Sequence, residues 1–253
     1  MQLDLSGKTA LVTGSSKGIG LAIAELLLRQ GCKVAINGRN AVALDQAAEA
    51  LGGEPVLRIA GDASRPDDAR RVVDQALQAW GRLDILICNV GSGSSVPPGQ
   101  ETHDEWQRVF ALNLWSATNM VEAASEALAQ TRGAIVCVSS ICGVEVVPGA
   151  PVTYSAAKAA LNAYVRGIAR PLGKRGVRIN AIAPGNILFD GSVWARKQAQ
   201  DPSAVTAMLE REVSLAALGS PAQVAEWVAW LASSKSSFAT GGVYVLDGGQ
   251  TRS

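Results

Sequence analysis

The stretch TALVTGSSKGIG, residues 9–20, decides how the rest of the chain reads. Residues 9–13 form a short apolar run of the kind that makes a strand buried on both faces. The run passes straight into glycines at 14, 18 and 20. Residues 18–30 then place Ile19, Ala22, Ile23, Leu26 and Leu27 on one helical face. Strand, glycine-rich turn and helix in that order suit a phosphate-binding turn. Gly14 permits the tight turn, Gly18 lets the backbone approach a pyrophosphate, and Gly20 lets helix and strand pack closely. The opening N–H groups of the helix add partial positive charge beside Ser16, Lys17 and Ile19. A glycine-rich turn alone says little; its place between a strand and an amphipathic helix gives it weight.

The pattern repeats outward. Apolar runs at 33–37, 55–59, 84–88, 133–139, 177–182 and 242–247 alternate with helical patterns at 41–51, 67–80, 103–129, 154–174 and 221–233. The expected fold is α/β: a single-domain, Rossmann-type, doubly wound parallel sheet of about seven strands spanning 1–253. Residues 188–220 break the rhythm and read as one or two short helices, such as 203–212, on a lid-like excursion. The second strand ends in Asn37-Gly38-Arg39-Asn40, with no acid between Lys33 and Asn40. NAD sites usually place an acid here for the ribose 2′-OH, whereas Arg suits a 2′-phosphate. Arg39 and Lys17 therefore favour NADP(H) over NAD(H), the alternative for Arg39 being a solvated surface arginine.

Composition narrows the function classes. The 253 residues are 48% hydrophobic and 18% charged, with a net charge of +1, which excludes a disordered chain and gives no basic excess for nucleic acid. Cysteines 32, 88, 137 and 142 form no CxxC pair, and His103 is the one histidine, so no metal site is expected. His103 itself reads as structural or exposed. The cysteines read as small apolar residues in a reducing compartment. The N-terminal run carries Asp4 and is too short for a secretory signal. Residues 134–152 hold Glu145, Pro148 and Pro151, which argues against a membrane span. A cytoplasmic protein is the expectation.

Tyr154 and Lys158 lie four positions apart, about one helical turn, and so share a face. A phenol has a pKa of ~10 in water, too high for ready proton exchange near neutrality. A lysine charge ~4 Å away is worth up to ~4 kcal/mol at an effective dielectric of ~20, roughly three pKa units. The pair thus reads as an acid/base unit, the alternative being an ordinary surface YxxxK.

Taken in order, Thr13–Gly20, Asp62, Cys88-Asn89-Val90-Gly91, Asn113, Ser139-Ser140, Tyr154-Ser155-Ala156-Ala157-Lys158, Pro184-Gly185 and Asp247-Gly248-Gly249 resemble the short-chain dehydrogenase/reductase family over essentially the whole chain. Similarity is broadest to its 3-oxoacyl-carrier-protein reductase-like branch. The resemblance implies a hydride-transfer site. Tyr154 would be the proton donor and acceptor. Lys158 would lower its pKa and hold the nicotinamide ribose. Ser140 would orient the carbonyl, with Ser139 as the lesser alternative. Asn113 would hold a relay water. Asp62 and Ala63 would lie at the adenine, Asn89 and Gly91 would support the cofactor, and Pro184, Gly185 and Ile187 would lie at its nicotinamide end.

Four features depart from the family pattern. The Ser140–Tyr154 gap is one residue longer than the commonest spacing. Val90 stands where alanine is usual, and Pro171 should kink the tyrosine-bearing helix or mark its last turns. Phe189 stands where a threonine often bonds the carboxamide, so backbone groups replace that bond or the ring shapes the substrate pocket.

Phe189, Trp194, Val193, Val205, Met208 and Leu209 are expected near the substrate, while Arg196, Lys197, Glu210 and Arg211 read as a solvated face. The implied activity is oxidoreduction of a carbonyl or secondary alcohol. A ketone, a sugar-derived carbonyl or a secondary alcohol is as open a substrate expectation as a 3-oxoacyl thioester. A non-catalytic NAD(P)-binding sensor or scaffold is the alternative, and the chain length and glycine spacing disfavour an epimerase of the extended branch. The resemblance also implies a homotetramer built through helices 103–129 and 154–174, with no nucleic-acid or membrane partner.

Overall fold

A computed structural model describes residues 3–52 and 55–252, so the extreme ends of the expected 1–253 unit lie outside the described residues. Seven parallel strands run β1 Thr9–Val12, β2 Lys33–Gly38, β3 Val56–Ala60, β4 Ile85–Cys88, β5 Ala134–Val138, β6 Arg178–Pro184 and β7 Val243–Leu246. They lie in the order β3-β2-β1-β4-β5-β6-β7. The order reverses between β1 and β4, which opens a crevice at their C-terminal ends. β1, β4 and β5 are buried at every position, as continuous apolar runs require.

Alternate residues serve the two faces. Leu11, Ile135 and Cys137 pack with helices α3 (Pro66–Trp80), α5 (Ser116–Thr131) and α6 (Val152–Lys174). Ala10, Val12, Val136 and Val138 pack with α1 (Gly18–Arg29), α2 (Ala41–Ala50) and α9 (Pro221–Ala232). Pro171 falls in the last turn of α6, where the missing N–H is tolerated.

The 103–129 pattern is not one regular helix. Helix α4 (His103–Phe110) passes into a π-turn over Ala111–Trp115 before α5 begins. The 188–220 excursion carries two helices, α7 (Val193–Gln200) and α8 (Pro202–Glu212). Among the described residues no helix is long and apolar enough to cross a membrane.

Charge is tied down at the N-terminal ends of the central strands, the end of the sheet away from the crevice. Asp84, 3% exposed, accepts bonds from the Thr9 N–H and hydroxyl, from Arg82 at 2.6 Å and from Lys8 at 3.2 Å. Burial pushes its pKa up, but the bonds from Arg82, Thr9 and Lys8 outweigh burial and hold it below the usual carboxylate range. This knot joins β1 to β4 and leaves the opposite end for chemistry.

Candidate active site

The glycine-rich turn closes on itself. A Cβ on Gly20 would run into the Gly14 carbonyl and the Asn89 amide, and one on Gly14 would lie 3.1–3.2 Å from Val90 and Asn89. Asn89 fastens the turn by donating from Nδ2 to the Thr13 and Gly14 carbonyls at 3.0 and 2.9 Å. Val90 is therefore accommodated, its side chain packed against Gly14. Gly18 and Gly14 both take positive φ, +59° and +61°. Lys17 precedes α1 without a side-chain cap, so the first-turn N–H groups face the crevice mouth unclaimed by side chains. Glycine cradle, uncapped helix end and nearby cations together fit the phosphates of a dinucleotide.

At the outer end of that crevice, Arg39, Gly61, Asp62, Arg65, Asp68 and Arg71 line an open depression. The Asp62 carboxylate accepts from the Ser64 N–H and hydroxyl, which shapes the turn after β3 around buried Ala63. Arg71 is held by Asp68 and the Ala60 carbonyl, whereas Arg39 and Arg65 make no salt bridge among the described residues. Arg65 was not legible as a site residue; its only sequence signal is its place three residues after Asp62.

Asn113, Ser140, Tyr154 and Lys158 come together at the ends of β4 and β5. Asn113 sits in the π-turn, where the extra residue turns its side chain inward to clamp Ser92. Its Oδ1 accepts from the Ser92 N–H at 2.9 Å, and its Nδ2 donates to the Ser92 and Val109 carbonyls. A Cβ on Gly91 would lie 2.9 Å from Asn113 Oδ1 and 3.0 Å from Lys158 Nζ. Glycine at 91 thus lets these two groups approach the same strand end.

The two neighbouring serines divide. Ser139 is buried and donates to Asn162 Oδ1 at 2.6 Å, which locks β5 to α6. Ser140 caps the short helical turn 141–143 by accepting from the Cys142 N–H, and its hydroxyl lies beside the Tyr154 phenol. Of the two, Ser140 is the one beside Tyr154. The extra residue between Ser140 and Tyr154 is absorbed in that loop, where glycine at 143 lets the turn rest on the Lys158 backbone.

The ionisation pattern differs from the expected one. Lys158 Nζ lies 5.9 Å from the Tyr154 ring centroid and donates to the Val138 carbonyl at 2.8 Å, not to the phenol. Burial pushes Tyr154 up to about 12, against a smaller opposing effect of the Ser140 hydroxyl. Burial also pulls Lys158 down to about 8. Desolvation, which disfavours both charged forms, therefore outweighs the attraction that sequence spacing suggested.

The nicotinamide-end residues lie where β6 ends. Gly185 packs against Asp247, Ile187 bridges Gly219, and the Asn186 Nδ2 is buried without a protein acceptor. The Phe189 ring lies over Gly18, so close that a Cβ there would fall 2.5–2.8 Å from three ring carbons. Trp194, Val205 and Met208 meet in a hollow between α7 and α8, and Lys197, exposed as expected, lays its Nζ 4.6 Å from the centre of the Trp194 ring. His103 is exposed at the start of α4. Across the cleft, Gly93 of the Gly91–Ser95 loop faces the Tyr154 ring, and Ser95 pins the loop to Thr153 at 2.7 Å and Glu105 at 2.6 Å.

Residues 14–251 match a family model described as enoyl-(acyl carrier protein) reductase. Among curated proteins, the chain is 33% identical to "dehydrogenase/reductase SDR family member 4" of Caenorhabditis elegans, over 96% of this chain and 95% of that one. It is 31% identical to glucose 1-dehydrogenase 2 of Bacillus subtilis, over 99% and 97%. Among solved structures, L-sorbose reductase from Gluconobacter frateurii, complexed with NADPH and L-sorbose, superposes with a TM-score of 0.93 at 29% identity over the whole of both chains.

Proposed function

The chain belongs to the short-chain dehydrogenase/reductase family, and from that premise we propose that it transfers hydride between NADP(H) and a small carbonyl or secondary-alcohol substrate. The observation that carries this reading is the convergence of Tyr154, Ser140, Lys158 and Asn113 beside the glycine-rich turn. None of the four is replaced, which disfavours a sensor or scaffold without catalysis.

A nicotinamide dinucleotide held by the Gly14–Gly20 cradle would supply the hydride. The protein's part is to bind, orient and protonate. Ser140 donates a hydrogen bond to the carbonyl oxygen and fixes it against Tyr154. Tyr154, held protonated by burial, passes its phenolic proton to the same oxygen as negative charge develops there. Lys158, anchored on Val138, supplies a buried cation behind the phenol, and Asn113 holds the Ser92 backbone so that the cleft wall keeps its shape. Burial keeps the phenol in the protonated form from which the reductive direction starts.

At the other end, Arg39 and Arg65 are the residues that would read a 2′-phosphate. Replacing Arg39 by alanine should weaken NADPH binding by about tenfold and leave NADH within twofold, as expected for one exposed charge-assisted contact. Titration calorimetry with both dinucleotides checks this. Equal loss for the two would remove Arg39 from phosphate recognition.

The substrate class we favour is a sugar-derived carbonyl. The serine-rich loop across from Tyr154 offers a polar wall, and the matched L-sorbose reductase and glucose dehydrogenase act on sugars by name. A 3-oxoacyl thioester is the second reading, favoured by the acyl-carrier description of the family model. Initial rates with ketoses, simple ketones and β-ketoacyl thioesters, each with NADPH and NADH, separate the two readings. Turnover confined to thioesters would overturn the sugar reading.

We further place the protein in the cytoplasm as one catalytic unit over 1–253, with residues 188–220 as its substrate lid. It would assemble as a homotetramer through the α4–α5 and α6 faces, where Trp115 is 43% exposed. Light scattering should give about four times the 26.2 kDa chain mass. A monomer mass would exclude the assembly.

A further inference from the structure

The contact between Phe189 and Gly18 joins two parts of the molecule that have little else to join them. Gly18 is the glycine through which the turn admits a diphosphate. The Phe189 ring covers that face, with Cε2, Cδ2 and Cζ 2.5, 2.8 and 2.8 Å from where a Gly18 Cβ would stand. The ring also packs onto the core cluster that includes Ile23 and Val224.

Behind the ring, the chain is stiff. Leu188 N–H bonds the Gly219 carbonyl, and Ile187 bridges Gly219. Ahead of it, Phe189 is coupled directly to α7. The Ser192 N–H donates to the Phe189 carbonyl at 2.9 Å, the Phe189 N–H donates to Ser192 Oγ at 3.3 Å, and the same Oγ caps α7 at Ala195 N–H. Helix α7 carries no buried residue of its own. Phe189 is therefore hydrogen-bonded directly to the start of a helix that buries none of its own residues.

We infer that Phe189 is a positioning residue whose ring and the dinucleotide diphosphate take the same face of Gly18 in turn, so that cofactor loading and repositioning of α7 are one event. The inference rests on the reading that this chain binds a dinucleotide. It gives the phenylalanine at this position a role that a side chain bonding the carboxamide would not have. A conformation that must be left before binding lowers the apparent affinity by the fraction of molecules held in it. Removing the ring should lift that penalty.

The test compares wild type, Phe189→Ala and Phe189→Leu by NADPH titration calorimetry and by hydrogen exchange of residues 188–200, with and without NADPH. The Ala variant should bind NADPH about fivefold tighter. In the free Ala variant, α7 should exchange as fast as in the NADPH-loaded wild type, with no further change on loading. The Leu variant, which keeps apolar bulk, should fall between and decides the matter if the Ala variant does not fold. Affinity equal to or weaker than wild type in the variants, or α7 exchange identical in all three proteins, would overturn the inference. A wild type that binds neither NADPH nor NADH would overturn the dinucleotide reading as well.

Discussion

Tyr154→Phe lowers turnover by about a thousandfold or more and leaves NADPH affinity within twofold. The substitution removes one oxygen and keeps the ring. The contacts of the ring with Gly93 and its packing under the cleft survive, so the cradle at Gly14–Gly20 is untouched. What disappears is the proton that must reach the carbonyl oxygen, and general acid catalysis of this kind is worth ~10²–10⁴-fold. The Ser140 hydroxyl can still polarise the carbonyl, but a serine hydroxyl does not replace the lost phenol as a proton donor. Single-turnover reduction, followed by loss of NADPH absorbance, measures the effect. Turnover within tenfold of wild type would show that another group donates the proton and would reopen the reading without catalysis by Tyr154.

Lys158→Met should cost about a hundredfold or more in turnover and yet leave the protein no less stable at pH 7. The lysine is 2% exposed, and burial brings its pKa from 10.5 to about 8. Below pH 8 both folded and unfolded chains carry the charge, and the folded one bears the desolvation cost. Between about 8 and 10.5 the folded chain has released the proton while the unfolded chain still binds it, so stability rises with pH. The gain between pH 7 and 9.5 is about 2 kcal/mol by this linkage. The methionine variant lacks that gain, because it has nothing to titrate; the orphaned Val138 carbonyl offsets part of the relief it enjoys at pH 7. Urea unfolding of both proteins at the two pH values isolates the lysine. A wild-type stability that falls relative to the variant over this range would mean that the folded lysine is stabilised in its charged form. In the kinetics, the same ionisation predicts a wild-type reductive kcat/KM that declines as pH rises through about 8.

The fold was readable because its signals are local. Seven apolar runs became seven strands with ends displaced by one or two residues, and the turn at 14–20 lies where its glycines demanded. Tyr154 and Lys158 were marked by their four-residue spacing, whereas Asn113 and Ser140 were named only through the family resemblance. Three things were not legible. The π-turn at Ala111–Trp115 adds one residue to an otherwise helical pattern, and periodicity alone does not show an extra residue inside one helix. The ionisation of Tyr154 and Lys158 is governed by desolvation, a property of everything packed around them and not of their spacing. The Phe189–Gly18 contact joins residues far apart in the chain, and neither position carries a mark that names the other. The hydrogen bond that ties Ser139 to Asn162 was likewise invisible in the sequence, since the two residues lie on different elements.

The π-turn also limits how this enzyme could be re-engineered by changing chain length. Its one extra residue offsets the angular phase of α5 from that of α4 by about 100°, the rotation of a single helical position. Deleting one residue between Ala111 and Trp115 would let the segment relax into an unbroken α-helix, the locally cheaper geometry. It would also swing Asn113 off Ser92, or else turn the buried stripe of Met120, Val121, Ala124 and Leu128 away from the sheet. One length cannot satisfy both anchors. The segment is thus open to changes of side chain yet closed to single-residue indels, and a family of shortened or lengthened variants would find its viable members at five residues here and not at four or six.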